Sequence, residues 1–380
     1  MDTIRLTYLF WLLVHDYVHK KKWKVLSIKD QEVWLVNEQV NPKQMIRLVR
    51  RELDWAGELR RDVEKAALVF EQLRQRLHYR EVKGKNIYVS QYPPVDDWEE
   101  IKKPIAANQK KKSRVYTVIL TKEEIEKSSV NELYFTDQVE QLELHTYLIK
   151  QNIEQVFKAQ TEQEKALFQY GKPFVTYILL GFIVIMFGVI EWYGSSTDIM
   201  TLIKFGAKYN PAIVDGEWWR FLSAMFLHIG LIHLLMNSLA LLFLGGTVER
   251  MFGTARFAWI YFIAGIVGSI ASFAFNASIS AGASGAIFGC FGALLYFGYV
   301  HRSLFFRTMG MNVLVILAIN LVFGFVVPVI DNGAHIGGLV GGFLAAAIVQ
   351  LPTQKRSKKS AYLCVCNSNT HCCFIRIWFI

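Results

Sequence analysis

A serine and a histidine stand in small-residue runs inside apolar sequence: Gly282-Ala283-Ser284-Gly285 heads one apolar stretch and Gly333-Ala334-His335-Ile336-Gly337-Gly338 heads another. Polar groups at membrane depth are expensive and usually mark a site or a path. A serine hydroxyl is a weak nucleophile until a base takes its proton, and the tetrahedral oxyanion that follows needs aimed hydrogen-bond donors. His335 supplies a base. His233 and Asn237 are one helical turn apart and so face the same way. With the backbone N–H of Ser284 they form a plausible oxyanion hole. Gly282 lets the backbone approach closely just before the nucleophile, where a side chain would block a substrate carbonyl. One serine would mean little, because serines in membrane helices bond back to their own carbonyls. As a set, these residues have the chemistry of a membrane-embedded serine protease.

The elements that must position them read as membrane spans. Hydrophobic residues make up 53% of the 380 and charged residues only 19%, and the apolar share is concentrated after residue 173, as in a multi-span membrane protein. Six spans are expected, at approximately 174–193, 227–246, 257–275, 284–300, 311–330 and 335–350. Lys165, Lys172, Arg250, Arg256, Arg302, Arg307 and the Lys355–Lys359 run all fall on one side if the amino terminus is cytoplasmic. Ser284 and His335 then both open their spans from the outer side and can share one depth. The span from Ser284 to Val300 is about 25 Å long as a helix, so its serine end should lie below the outer surface. Gly338 and Gly342 give the last span a small-xxx-small face for close helix contact, which would hold His335 against the serine helix.

The first 170 residues mix Lys, Arg, Glu and Gln and predict a small soluble α/β domain. Val33–Val36, Asn86–Val89 and Val115–Leu120 have the length and β-branched content of strands, and they alternate with helical patterns over Pro42 to Tyr79 and Asp137 to Tyr170. Leu6 to Val14 lacks the flanks of a signal peptide and reads as an amphipathic first helix. Tyr92-Pro93-Pro94 is expected to turn, and Lys110 to Lys112 to sit in a polar loop. Three regions follow: a soluble domain over 1–170, a membrane domain over 171–352, and a basic linker and atypical tail over 353–380.

Composition also excludes. The net charge of +10 comes from the soluble half and the span ends, with neither a phosphate loop nor zinc-finger spacing, so no nucleic-acid partner and no cofactor are expected. Four of the five cysteines, Cys364, Cys366, Cys372 and Cys373, lie in the last 20 residues; the soluble half has none and fits a reducing compartment. His228 and His233 invite a metalloprotease reading, but there is no HExxH, and a spacing of five puts the rings on different faces of a helix. His15 and His19, spaced i, i+4 beside Asp16, are weak metal candidates against the alternative of a polar helix face.

The run His228-Ile229-Gly230-Leu231-Ile232-His233-Leu234-Leu235-Met236-Asn237, the Gly282–Gly285 motif and Ala334-His335-Ile336-Gly337-Gly338 together resemble the three signature motifs of rhomboid intramembrane serine proteases, over about residues 173 to 350. The resemblance implies a six-helix bundle and a Ser284–His335 dyad without a third acidic member. It also implies transition-state stabilisation by His233, Asn237 and the Ser284 amide. Trp219-Arg220 and Glu249-Arg250 resemble structural elements of the family. The implied reaction is peptide-bond hydrolysis in or near transmembrane segments of other proteins, at small residues with helix-destabilising residues beyond. The implied partners are transmembrane substrates and the lipid bilayer; a cytosolic adaptor or a metal at the amino-terminal domain is a separate, weaker candidate that rests on the His15/His19 spacing and not on the resemblance. An inactive rhomboid-like client-binding protein is the alternative; such relatives typically lack the serine or the histidine. Bacillus-type rhomboids resemble the whole chain and continue to a seventh span. Here Ala361–Asn367 begins like an apolar span and becomes Cys- and polar-interrupted from His371 to Ile380, which reads as a shifted frame or truncation, with zinc binding by the Cys/His cluster a weaker option.

Overall fold

The computed structural model describes residues 2–106, 112–121, 139–327 and 330–352, and the backbone of two strands further on. The chain divides into two compact units, one of residues 1–168 with 294–332 and the other of residues 169–293 with 333–380.

The first unit is built on a six-stranded sheet of order β1-β2-β3-β4-β6-β5. Strands β1 (Lys24–Lys29) and β2 (Glu32–Asn37) form a hairpin, and β3 (Lys43–Arg50) continues it antiparallel. Helix α2 (Ala56–Arg76) then crosses over to β4 (Val82–Val89), which runs parallel to β3 and to β6 (Ser113–Leu120), while β5 (Ile105–Ala106) closes the edge. A parallel pair requires such a crossover. Helices α1 (Asp2–His15) and α3 (Val139–Ala166) cover one face of the sheet, where Phe10, Leu142 and Ile153 meet Val33, Leu35, Ile46, Leu48, Ile87 and Val89. Phe70 of α2 covers the other, against Trp34, Val36, Met45, Val82 and Val115. With both faces buried, the strands carry near-continuous apolar runs.

That burial corrects two expectations. Pro42 to Tyr79 is not one helix, because its first part is β3. Met45, Ile46, Leu48 and Val49 are spaced like a helical stripe, but all four are buried because the two faces of one strand are both covered. The helical part starts only after Trp55, whose extended backbone precedes α2. Likewise Leu6 to Val14 is helical but not amphipathic: from Ile4 to Val14 no residue is exposed, since α1 lies between the sheet and α3, and a helix apolar all round is a buried helix. The third helix ends at Ala166, short of Tyr170. Tyr92 lies in a bend, and the loop expected at Lys110 to Lys112 falls largely outside the described residues.

From Phe174 onward the described chain is largely helical and apolar. Four of its helices are long and apolar enough to cross a membrane: α4 (Phe174–Tyr193), α5 (Gly230–Phe252), α6 (Thr254–Phe275) and, last in the chain, α10 (Asn332–Val349). Helix α7 (Ser284–Val300) is shorter, at 17 residues. A short helix α8 (Arg302–Thr308) meets α9 (Gly310–Val326) at a bend of 76°. The expected bounds shift accordingly: the second span begins at Gly230 rather than 227 and runs through a π turn at Leu241–Gly245, and the last begins at Asn332, placing His335 inside the helix. Ile178, Ile185, Ile319, Val322 and Phe325 are exposed, a surface that suits lipid rather than water. In the tail, Tyr362–Cys366 is a strand that pairs antiparallel with Cys372–Arg376, so these five residues do not start a helical span as expected. The cysteine and histidine side chains there lie outside the described residues.

Helix α8 belongs to the first unit through side chains. Arg307 pairs with Glu164 of α3, and the Tyr79 hydroxyl bonds Glu38 and lies 3.4 Å from the Ser303 hydroxyl. On α2, Glu71 accepts from Arg74, Gln75 and the Ser113 hydroxyl of β6. The Arg74 guanidinium and these further donors pull the Glu71 carboxyl down to about 2. A depressed carboxyl contributes stability above its unfolded pKa, near 4.3, that disappears as pH falls through the folded value. Glu71→Gln is therefore expected to remove a part of the acid sensitivity of the sheet region between about pH 4 and pH 2, read by hydrogen exchange over β6. An identical acid limb in the variant would contradict the assignment.

Candidate active site

The nucleophile candidate, Ser284, is the first residue of α7 and is half-buried. The base candidate, His335, sits in the first turn of α10 and is buried. Its ring stacks on Phe288, one turn below Ser284, with centroids 4.1 Å apart and planes 12° from parallel. Phe288 carried no signal in the sequence: an aromatic one turn from a serine on an apolar helix reads as core.

The two helices approach this closely because glycines face each other. A Cβ on Gly338 would overlap the carbonyl oxygen of Gly285, and one on Gly342 would overlap that of Gly289. Above these pairs, a Cβ on Gly285 would lie 3.4 Å from the Ala334 carbonyl oxygen. The first turns of α7 and α10 are thus side by side, with Ser284 and His335 on them.

Helix α5 supplies the remaining candidates. The Ile229 amide donates to Nδ1 of His233 at 3.3 Å, so the neutral ring carries its proton on Nε2. That Nε2 faces Gly282, where a Cβ would sit 3.0 Å from it and 2.8 Å from Cε1. Gly282 also has φ +143°, a backbone that only glycine adopts freely. Glycine is needed there to make room for the His233 ring. Asn237 is buried one turn below His233 and donates from Nδ2 to the His233 carbonyl at 3.0 Å, a bond that fixes its amide plane. His228 precedes α5 rather than lying on it, because the chain turns at Gly230. Its ring stands edge-on to His233 with centroids 5.3 Å apart, which corrects the expectation that the two rings lie apart on different faces of one helix.

Two buried charges brace the surroundings. The Arg220 guanidinium bonds Glu217 and donates to the carbonyls of Ile203 and Ala207 at 2.7 and 3.1 Å, over the ring of Trp219. Glu249, fully buried, accepts from the amides of Val175 and Thr176, both at 2.8 Å, and from the Thr176 hydroxyl at 2.7 Å. It thereby satisfies the open N–H groups at the start of α4 from the far end of α5.

In the first unit, the rings of His15 and His19 lie together, with centroids 4.4 Å apart. Burial, and then the neighbouring His19, lower the proton affinity of His15. However, Nε2 of His19 meets Asn152 at 2.5 Å and Asp16 pairs with Lys20 and Lys21. Among the described residues no three His, Cys, Asp or Glu side chains gather as a metal site would need.

The sequence is similar to those of known proteins. A family profile described as Rhomboid domain matches residues 215–351. The chain is 41% identical over 359 residues to Rhomboid protease GluP of Bacillus subtilis (strain 168), which covers 91% of this chain and 70% of that protein. It is 42% identical over 154 residues to RHOMBOID-like protein 4 of Arabidopsis thaliana, 40% of this chain and 39% of that protein. It is 35% identical over 150 residues to Putative rhomboid protease YdcA of Bacillus subtilis (strain 168), 39% of this chain and 75% of that protein.

The glycine contact is directly testable. Gly338→Val inserts side-chain atoms where the Gly285 carbonyl lies and is expected to cost about 3 kcal/mol, seen as a lower unfolding midpoint in detergent. A midpoint equal to the parent's would mean that the helices do not touch there.

Proposed function

The chain belongs to the rhomboid family of intramembrane proteases, and on that premise we propose that it is a serine endopeptidase that cuts membrane proteins in or near their transmembrane segments with a Ser284–His335 dyad. The observation that carries this reading is the stack of His335 on Phe288, which sets the imidazole beside the helix turn that begins with Ser284. His335 takes the Ser284 proton as Oγ attacks the scissile carbonyl, then gives it to the leaving amine. Water, activated by the same imidazole, releases the acyl group in the second half of the reaction. Charge on the oxyanion is met by the Ser284 amide, Nε2–H of His233 and the side chain of Asn237. The tautomer imposed on His233 by the Ile229 amide supports its role as a donor. Gly282 leaves the approach to these donors open. Phe288 holds the His335 ring in place, and Arg220, Glu249, Gly338 and Gly342 hold the helices.

The wider arrangement follows from the same reading. Helices α4, α5, α6, α7, α9 and α10 are the six spans of a domain over 171–352, after a cytosolic α/β domain over 1–170 and before the segment 353–380. The basic residues at span ends support a cytoplasmic amino terminus and an active site opening to the outer side. A helical backbone hides its carbonyls, so substrates must unwind locally in a wet, protein-lined cavity. The partners are then transmembrane substrates and the bilayer. A cytosolic adaptor at the amino-terminal domain would be a further partner, a metal there would find only two imidazoles among the described residues, His15 and His19, and nucleic acid is not a partner.

Cleavage of a tagged transmembrane substrate in membranes is expected from the parent and abolished in Ser284→Ala and in His335→Ala. His233→Ala is expected to lower kcat by about a hundredfold. Cleavage that survives Ser284→Ala would refute the dyad, and a folded parent that binds such substrates without cutting them would favour a client-binding protein.

A further inference from the structure

One lysine of the second unit is deeply buried, at 1% exposure. Lys208 lies in the long loop between α4 and α5, and its ammonium reaches neutral oxygens of a different loop. Nζ donates to the carbonyls of Asn276 and Ser278 at 2.6 and 2.7 Å, and to Oδ1 of Asn210 at 3.1 Å. The backbones of Lys208 and Ser280 exchange two hydrogen bonds, at 2.9 and 3.1 Å, as an isolated antiparallel bridge. Two residues on, the Gly282 amide donates to the Ala224 carbonyl at 2.9 Å.

Residues 276, 278, 280 and 282 are thus each tied to the loop before α5, at the period of two of an extended chain. Three of the four ties are made by Lys208. The segment they fix is the connection from α6 to α7, and it ends at Gly282-Ala283-Ser284. Asn210 adds a bond from Nδ2 to the Phe273 carbonyl at 3.1 Å, so the ammonium sits at the carbonyl-rich end of α6. A cation is favoured there by the helix dipole as well as by the bonds. Burying an ammonium is costly unless such partners are complete, so the loop must keep its carbonyls on Nζ.

We propose that Lys208 is a positioning residue for the hydrolysis: its ammonium holds the 276–282 segment in the one path that aims the Ser284 hydroxyl and amide. The inference rests on the proposed role of Ser284. A misaimed nucleophile and oxyanion donor slow the chemical step while leaving substrate binding to the surrounding helices intact.

The test compares parent, Lys208→Met, Lys208→Arg and Asn210→Ala in proteoliposomes with one transmembrane substrate, together with the rate at which a fluorophosphonate labels each folded protein. Lys208→Met is expected to lower kcat per labelled site by about tenfold with KM held within about twofold, to slow labelling in parallel, and to be partly rescued by Lys208→Arg. Asn210→Ala, which removes one acceptor, is expected to show the same pattern at about threefold, and it decides the matter if Lys208→Met does not fold. A kcat per labelled site equal to the parent's, with only the amount of folded protein reduced, would overturn the proposal and leave Lys208 a purely structural residue. A parent that neither cleaves nor labels would instead refute the protease reading.

Discussion

How closely two helices can approach governs this site. Helix α10 meets α7 through Gly338 against Gly285 and Gly342 against Gly289, positions where a Cβ would overlap a backbone carbonyl. In a bilayer the hydrophobic effect does not press helices together, so association relies on close packing, which small residues allow. That contact brings the first turns of both helices into register. Phe288 can then stack on His335, and Ser284 begins its helix beside that turn. With larger residues at the crossing, the imidazole and the hydroxyl would be carried apart on intact helices.

A second constraint is backbone satisfaction. Irregular chain at membrane depth must find partners within the protein, and three buried charges in the second unit are engaged with backbone groups. Glu249 takes the amides at the start of α4, Arg220 takes the carbonyls of Ile203 and Ala207, and Lys208 takes those of Asn276 and Ser278. Glu249 and Lys208 join segments some seventy residues apart, and these ties add to a small apolar cluster in which Leu202, Ala207 and Leu227 meet Ala281.

The catalytic candidates were legible because their chemistry is local. Ser284 and His335 stand at the heads of apolar runs, His233 and Asn237 are one turn apart, and the glycine spacing on α10 is written in the five residues from Gly338 to Gly342. What was not legible depends on partners distant in the chain. Strand β3 has apolar spacing that fits a helix until both faces of the sheet are seen to be covered. Lys208 reads as an ordinary loop lysine balanced by nearby acids, yet it is buried against carbonyls some seventy residues away. Phe288 has no composition signal at all. The tautomer of His233 depends on the backbone of Ile229, a contact that exists only because the chain turns at Gly230.

The central claim is that Ser284 is a nucleophile activated by His335. Peptide mapping by mass spectrometry after fluorophosphonate treatment of the full chain in membranes tests it without assuming a substrate. The account predicts one covalent adduct, on Ser284, formed in the parent and lost in His335→Ala. An adduct on another residue, or equal modification of Ser284 when His335 is absent, would contradict it.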